Sequence, residues 1–188
     1  FGTYYQVKFF EVDKNNLTIE KEIDSIFDRF NSSLSTYISS STISKVNRNE
    51  KVIVDDLFID IFKKSKIIYE KTNGYFDPSI GLLLDYAGFG PTKNQNIVSE
   101  DSLVTILKTV GFDKIDIIDG QVRKLNNKSK LDFNAIAKGY AVDVISEFLN
   151  SKSIEDYMVD IGGEIRTSGK NHLRDMFWSI AIENPIPN

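Results

Sequence analysis

Ile19, Ile23, Ile26, Phe27 and Phe30 recur at three- and four-residue intervals, which predicts an amphipathic helix over residues 19 to 31 with Thr18 as its N-cap. The stretch before it, "TYYQVKFF", alternates weakly and predicts a strand. Leu57, Ile61, Phe62, Ile68 and Tyr69 predict a second helix that "TNG" stops. A third is expected from about Ser99, with Leu103, Ile106, Leu107 and Val110 turned inward and Gly111 as its stop. Ile136, Tyr140, Val144 and Phe148 define the buried stripe of a fourth, which runs to about Leu149. "KVIV" predicts a short strand, and "KIDII" and "QVRKL" predict a hairpin turning on Asp119-Gly120. "YMVDIGGEIRTSG" reads as strand, double-glycine turn and strand, and "MFWSIAIE" alternates again. "NSSLSTYISSSTISKVN" is polar and serine-rich, a loop ending in a short helix. "GYFDPSIGLLLDYAGFGP", Gly74 to Pro91, holds too much glycine and proline for regular structure, and a long ordered loop of this kind is more often functional than not. Strands and helices are mixed, a hairpin is antiparallel, and no regular βαβ series occurs. The pattern predicts an α+β fold with helices packed on mostly antiparallel or mixed sheets.

Composition narrows the chemistry. The 188 residues are 41% hydrophobic and 12% aromatic, enough for a core of one domain. The balance of 27 acidic against 23 basic residues gives a net charge of −4, which is not the footprint of a nucleic-acid binder. No run of 18 apolar residues occurs to span a bilayer. Cysteine is absent, which excludes disulfides, a catalytic thiol and thiolate metal ligands, and His172 is the only histidine, which excludes multi-histidine metal sites. His172 lies in the polar run "SGKNHLRD" and reads as a surface-loop residue. Carboxylates, a lysine, backbone groups and an oxygen-liganded metal remain as the chemical inventory.

Polar groups gather at three places. In "LDFNAIAKGYAVD", Asn134 and Lys138 are four apart and share a helix face, Asn134 suits the N-cap, and Asp132 then stands just before the helix. Free N–H groups and the positive dipole end point there, which favours an anion such as a phosphate. Ala135, Ala137 and Gly139 admit a close neighbour, backbone or flat ligand, and Gly139 lowers helix stability by roughly 1 kcal/mol relative to Ala. An ordinary capped helix with a surface lysine fits the same residues. Asp77, before Pro78, reads as a cap or turn residue. Gly162-Gly163 fits a hairpin turn and equally a backbone site for a phosphate or a flat ring. No glycine-rich nucleotide loop of the usual kinds occurs.

Taken in order, "FGTYYQV", "LSTYISSSTISKVN", "GYFDPSIGLLLDYAGFGP", "LDFNAIAKGYAVD" and "VDIGGEIRTSGKN" resemble the FAD:protein FMN transferases, the ApbE-like flavin transferases. The resemblance covers the whole chain and implies a single domain over residues 1 to 188 of ApbE-like, T-fold-like architecture, incomplete at its C-terminus. It implies an Mg²⁺-dependent enzyme that splits FAD, releases AMP and attaches FMN through a phosphoester to a threonine or serine hydroxyl of a target flavoprotein. Some members mainly hydrolyse FAD to FMN and AMP. A non-catalytic flavin- or nucleotide-binding module is the reading from another class.

The same resemblance implies the site. Asp132 contacts FAD and Lys138 lies in the FAD pocket, and these two are the expected catalytic residues. Tyr75, Phe76 and Asp77 bind FAD, as does Leu34, where the family usually has Met, a substitution that keeps apolar packing. Ala135 offers the metal its backbone carbonyl, its side chain being a methyl. The family's remaining metal ligands lie in an Ala-Asp-Ala-x-x-Thr-like segment that does not occur in these residues and is expected beyond residue 188. Family habit also implies an exported, bacterial cell-envelope lipoprotein, held at the membrane only by an N-terminal lipid anchor.

Overall fold

A computed structural model describes residues 2–10, 16–91 and 100–182, which form two compact units. The first comprises residues 24–137, and the second residues 2–23 together with the chain from Lys138 onward.

The first unit takes the later turns of helix α1 (Asn16–Leu34), where Phe27 and Phe30 of the predicted stripe are buried, as is Leu34 beyond the predicted end. Helix α2 (Thr42–Asn47) is capped by Ser41, whose hydroxyl accepts from the Ser44 N–H at 3.2 Å. Helix α3 (Asp56–Lys71) is capped by Asp55, which accepts from the Phe58 N–H at 2.9 Å and the Ser33 hydroxyl at 3.0 Å. These caps satisfy orphan donors of each first turn. Helices α4 (Gly81–Tyr86) and α5 (Glu100–Leu107) follow, then a 3₁₀ turn at Phe112–Lys114 and the hairpin β2 (Ile115–Ile118) and β3 (Gln121–Lys124). Asp119 and Gly120 have φ of 52° and 70°, the two left-handed positions that the Asp-Gly signature predicts. Helix α6 (Asn134–Ser151) begins in this unit. The core is aromatic: Phe58, Phe112 and Phe133 are buried, and the Phe58 and Phe133 rings meet edge-on at 5.5 Å.

In the second unit β1 (Tyr5–Phe9), β4 (Tyr157–Ile161) and β5 (Glu164–Ser168) form an antiparallel sheet with β4 central. Tyr157, Val159 and Ile161 alternate inward and are fully buried, as the period of two requires. Gly162-Gly163 is a hairpin turn, with φ of 56° and 93° between the paired residues Ile161 and Glu164. A small hairpin, β6 (Lys170–Asn171) with β7 (Met176–Phe177), completes the described strands. All these ladders are antiparallel, so the α+β class read from the pattern holds. No helix among the described residues is long and apolar enough to cross a membrane.

Several local expectations are corrected. Helix α1 begins at Asn16, so Thr18 lies inside it rather than capping it. "KVIV" forms no strand; only the Val54 N–H reaches the hairpin turn, at the Gly120 carbonyl. Gly74–Pro91 is not wholly irregular, since α4 lies within it. In α5 only Ile106 of the four expected inward residues is buried, with Leu103 and Leu107 exposed and Val110 beyond the helix; Ser99, the expected start, lies outside the described residues. The deepest stripe of α6 is Ala137, Ala141, Ile145 and Leu149, rotated from the one expected: of the expected residues Tyr140 is buried, while Ile136, Val144 and Phe148 are half-buried. Among the described residues of "MFWSIAIE", only Met176 and Phe177 pair as a strand.

Candidate functional site

The segment from Ser129 to Phe133 leads into α6 and is strapped from two sides. On one side the Asp132 N–H donates to the Pro78 carbonyl at 2.8 Å and the Gly81 N–H to the Lys130 carbonyl at 3.0 Å, with a parallel bridge between Ile80 and Lys130. A side chain at Gly81 would place its Cβ 2.8 Å from that carbonyl, so only glycine permits the approach. On the other side the Asn47 amide, at the end of α2, pairs with both backbone groups of Leu131: Nδ2 donates to the carbonyl at 2.8 Å and Oδ1 accepts from the N–H at 2.7 Å.

Beside this segment lies a cleft of about 140 Å³, lined among others by Thr36, Asn47, Arg48, Asp85, Lys130 and Asp132. Lys130 and Asp85 pair at 2.6 Å. The Thr36 hydroxyl is buried and has no hydrogen-bond partner among the described residues. Asp132 is 9% exposed, and burial raises its pKa above the usual carboxylate value; the bond from the Asn134 N–H opposes this and the nearby Asp85 charge adds to it. Its Oδ1 accepts from the Asn134 N–H at 2.7 Å and its Oδ2 from the Asn134 amide at 3.0 Å. Asn134 is therefore the first residue of the helix and not its N-cap. Phe133 holds the cap position, its carbonyl accepting from Ile136 and Ala137. A buried carboxyl with raised proton affinity, just before a helix N-terminus and in a cleft that the Lys130–Asp85 pair also lines, can exchange a proton with a bound ligand.

The structure places the other expected residues as follows. Asp77 is a turn residue: Oδ1 accepts from the Ser79 N–H at 2.7 Å and the Ser79 hydroxyl at 2.6 Å, and Oδ2 accepts from the Phe112 N–H at 3.3 Å. Its loop reaches Asp132 through the Pro78 carbonyl. Tyr75 is 97% exposed, its ring open to a ligand, and the Phe76 N–H donates to the Thr72 hydroxyl. Leu34 is buried at the end of α1. Ala135 is exposed in the first turn of α6. Lys138 falls in the second unit, where its ammonium pairs with Glu164 at 2.7 Å and donates to the Gly162 carbonyl at 3.3 Å. Asn47, Arg48, Asp85 and Lys130 stand outside the sequence-derived set. All four lie in or beside the quoted motifs, yet Asn47 pairs with Leu131, 84 residues on, and Asp85 with Lys130, 45 residues on, while Arg48 pairs locally with Glu50 at 2.7 Å, and no local signal marks any of them as part of a cleft.

Metal donors fit in kind but not in number. The cleft and the helix start offer oxygens, which suit a hard cation. Among the described residues no group of three or more His, Cys, Asp and Glu stands together, and the Asp85 carboxylate is held by Lys130.

A family model described as the ApbE family matches residues 1–188. The chain is 33% identical over 191 residues to the FAD:protein FMN transferase of Vibrio cholerae serotype O1, covering 98% of this chain and 57% of that protein. It is 33% identical over 196 residues to the one of Haemophilus influenzae, covering 98% and 56%. Among solved structures it is similar to the flavin transferase ApbE from Vibrio cholerae, with a TM-score of 0.90, 32% identity, and coverage of 98% of this chain and 62% of that one. The apo flavinyl transferase ApbE of Pseudomonas stutzeri matches with a TM-score of 0.84 at 26% identity, over 90% of this chain and 58% of that one. The chain thus spans little more than half the length of the curated relatives it matches.

Proposed function

The chain belongs to the ApbE family, and from that premise we propose that its protein is an FAD:protein FMN transferase. The observation that carries the reading is the likeness to the Vibrio cholerae flavin transferase over nearly the whole chain, in sequence and in fold together. In the proposed reaction a threonine or serine hydroxyl of a partner flavoprotein attacks the FMN-side phosphorus of FAD. The new P–O bond forms as the bridging P–O bond breaks, AMP leaves, and the hydroxyl proton passes to a base. Such a transfer needs positioning and charge neutralisation more than covalent help. An inventory without cysteine and with one histidine suits that demand.

Within this reading the first unit supplies the contacts. Asp132 touches FAD, and its raised proton affinity suits it to accept the hydroxyl proton. Lys130 and Arg48 line the cleft, paired with Asp85 at 2.6 Å and Glu50 at 2.7 Å, and would exchange those partners for the diphosphate, which the N-terminus of α6 also favours. The exposed Tyr75 ring, with Phe76 and the Asp77 turn, offers a face for a flat ring. Mg²⁺ dependence belongs to the proposal, with the Ala135 carbonyl as one oxygen ligand; when bound, the ion neutralises charge on the diphosphate. Placement in the bacterial envelope as a lipoprotein rests on family habit, and fractionation of cells making the native protein tests it.

The deciding assay mixes the full-length protein, FAD and Mg²⁺ with and without a threonine-bearing flavin acceptor domain, then views a denaturing gel under ultraviolet light. A fluorescent acceptor band that vanishes with chelator is the expected result. Free FMN and AMP without a band would make the protein an FAD pyrophosphatase. Intact FAD in every lane sinks both catalytic readings, and a titration by flavin fluorescence then decides whether a binding module remains.

A further inference from the structure

We propose that Asn47 is a positioning residue: by pairing with both backbone groups of Leu131 it fixes where Asp132, the next residue, sits in the cleft, and through it sets the affinity for the flavin substrate. The flavin half of this statement rests on the function proposed above; the positioning half does not.

The geometry is specific. Asn47 and Leu131 are 84 residues apart, and the two bonds, 2.8 and 2.7 Å, imitate the exchange of one strand residue with another. Leu131 is fully buried, so its backbone groups have no solvent to replace the amide. Asp132 itself makes only one backbone bond to the opposite side, from its N–H to the Pro78 carbonyl. Its side-chain bonds go to Asn134, two residues on, and move with it. Nothing in that local pair fixes the carboxyl relative to Arg48, Lys130 and Asp85. The link from α2 to Leu131 does, because Asn47 and Asp132 line the same cleft. A neighbouring strap reinforces the loop without reaching Asp132: the Lys124 ammonium donates to the Val46 carbonyl at 3.1 Å and the Ser129 carbonyl at 2.9 Å. Asn49 likewise donates to the Asn127 carbonyl at 3.0 Å.

The test uses the full-length protein with Asn47→Ala, Asn47→Asp and, as a control of the same chemical kind on the same loop, Asn49→Ala. Asn47→Asp keeps the acceptor for the Leu131 N–H but sets an oxygen against the Leu131 carbonyl, so it separates a loss of position from a loss of fold. Two quantities are read: the pH midpoint of the Asp132 carboxyl by carbon NMR, and FAD affinity by fluorescence titration. Released from its strap, Asp132 gains solvent, so Asn47→Ala should move its midpoint toward the ordinary carboxylate value and weaken FAD binding about tenfold; Asn47→Asp, whose new charge in the cleft opposes that shift in midpoint, should weaken FAD binding at least as much. Asn49→Ala should change neither. In an Asp132→Ala background the effect of Asn47→Ala on FAD affinity should disappear. An unmoved Asp132 midpoint in a folded Asn47→Ala protein overturns the positioning role, whatever FAD does; where that variant does not fold, unchanged FAD affinity in a folded Asn47→Asp protein overturns it. A moved midpoint with unchanged FAD affinity, or an effect that persists without Asp132, overturns the link to binding. Wild-type protein that fails to bind FAD would refute the flavin reading alone, and the NMR midpoint would still decide the positioning.

Discussion

Replacing Asp77 by alanine should destabilise the first unit more than any change at an exposed flavin-facing residue. The carboxylate accepts from the Ser79 N–H at 2.7 Å, the Ser79 hydroxyl at 2.6 Å and the Phe112 N–H at 3.3 Å. Ser79 and Phe112 are fully buried, so water cannot take over these donors. The Ser79 hydroxyl also accepts from the Gly111 N–H at 2.8 Å, which makes Asp77 the end of a short chain of bonds joining its turn to the 3₁₀ turn at Phe112. A hydrogen bond to a charged group contributes roughly 1.5–3 kcal/mol, and a long one less. Two short bonds and one weak one, partly relaxed after the change, give an expected loss of about 3–4 kcal/mol. That is a large part of the roughly 5–15 kcal/mol of a typical domain. Urea unfolding followed by far-ultraviolet circular dichroism measures it. With an m-value of about 2 kcal/mol/M the midpoint should fall by roughly 1.5–2 M. Asp77→Asn, which keeps an acceptor but removes the charge, should fall between wild type and alanine. A loss below about 1 kcal/mol for alanine would refute the reasoning and leave the carboxylate free for a ligand.

The remaining expectations concern the cleft and its neighbouring lysine. Lys130→Met removes the partner of an Asp85 side chain that is only 13% exposed; the loss should be about 1–2 kcal/mol by urea unfolding, less than for a fully buried pair because Lys130 is 36% exposed. Burial, with the Lys130 charge adding to it, pulls the Lys124 pKa down to about 8, so between that value and its ordinary 10.5 the unfolded chain holds more protons. Stability therefore contains a term that rises with pH across that window, and Lys124→Met should remove the rise in a series of urea midpoints. Asp132 has the opposite sign: its raised pKa means that the folded chain holds the extra proton, and its contribution is lost as pH rises from the ordinary carboxylate value through the raised one. Asp132→Asn should abolish that slope and stabilise the protein at neutral pH while weakening FAD binding, since the Asn134 amide can turn to pair with the new amide. A less stable Asp132→Asn protein at neutral pH would contradict this.

What the sequence disclosed depended on the range of the interaction. The stripe from Ile19 to Phe30 was legible because one helix face is a local pattern, and both hairpin turns were legible because two consecutive left-handed residues demand Asp-Gly or Gly-Gly. Helix α4 was hidden because six residues within a glycine-rich run are too few to show a period. The stripe of α6 was only partly placed, with Tyr140 buried as expected, because Ala137 and Ala141 carry little apolar weight in a pattern although both are buried. The site shows the same division more sharply. Asp77 and Asp132 look alike in the chain, each an aspartate accepting from the N–H two residues on, as turn-forming aspartates do. Their difference lies in what comes from far away. Asp77 receives a third donor from Phe112, 35 residues on, and its oxygens are engaged in holding two turns together. Asp132 receives from afar only burial and the charge of Asp85, both of which disfavour its ionised form. A carboxylate that its surroundings keep out of water without adding a donor is poor as a fold element and well suited to meet a proton or a cation. On that ground the function proposed above gives the ligand-facing role to the carboxyl of Asp132 and the structural one to that of Asp77.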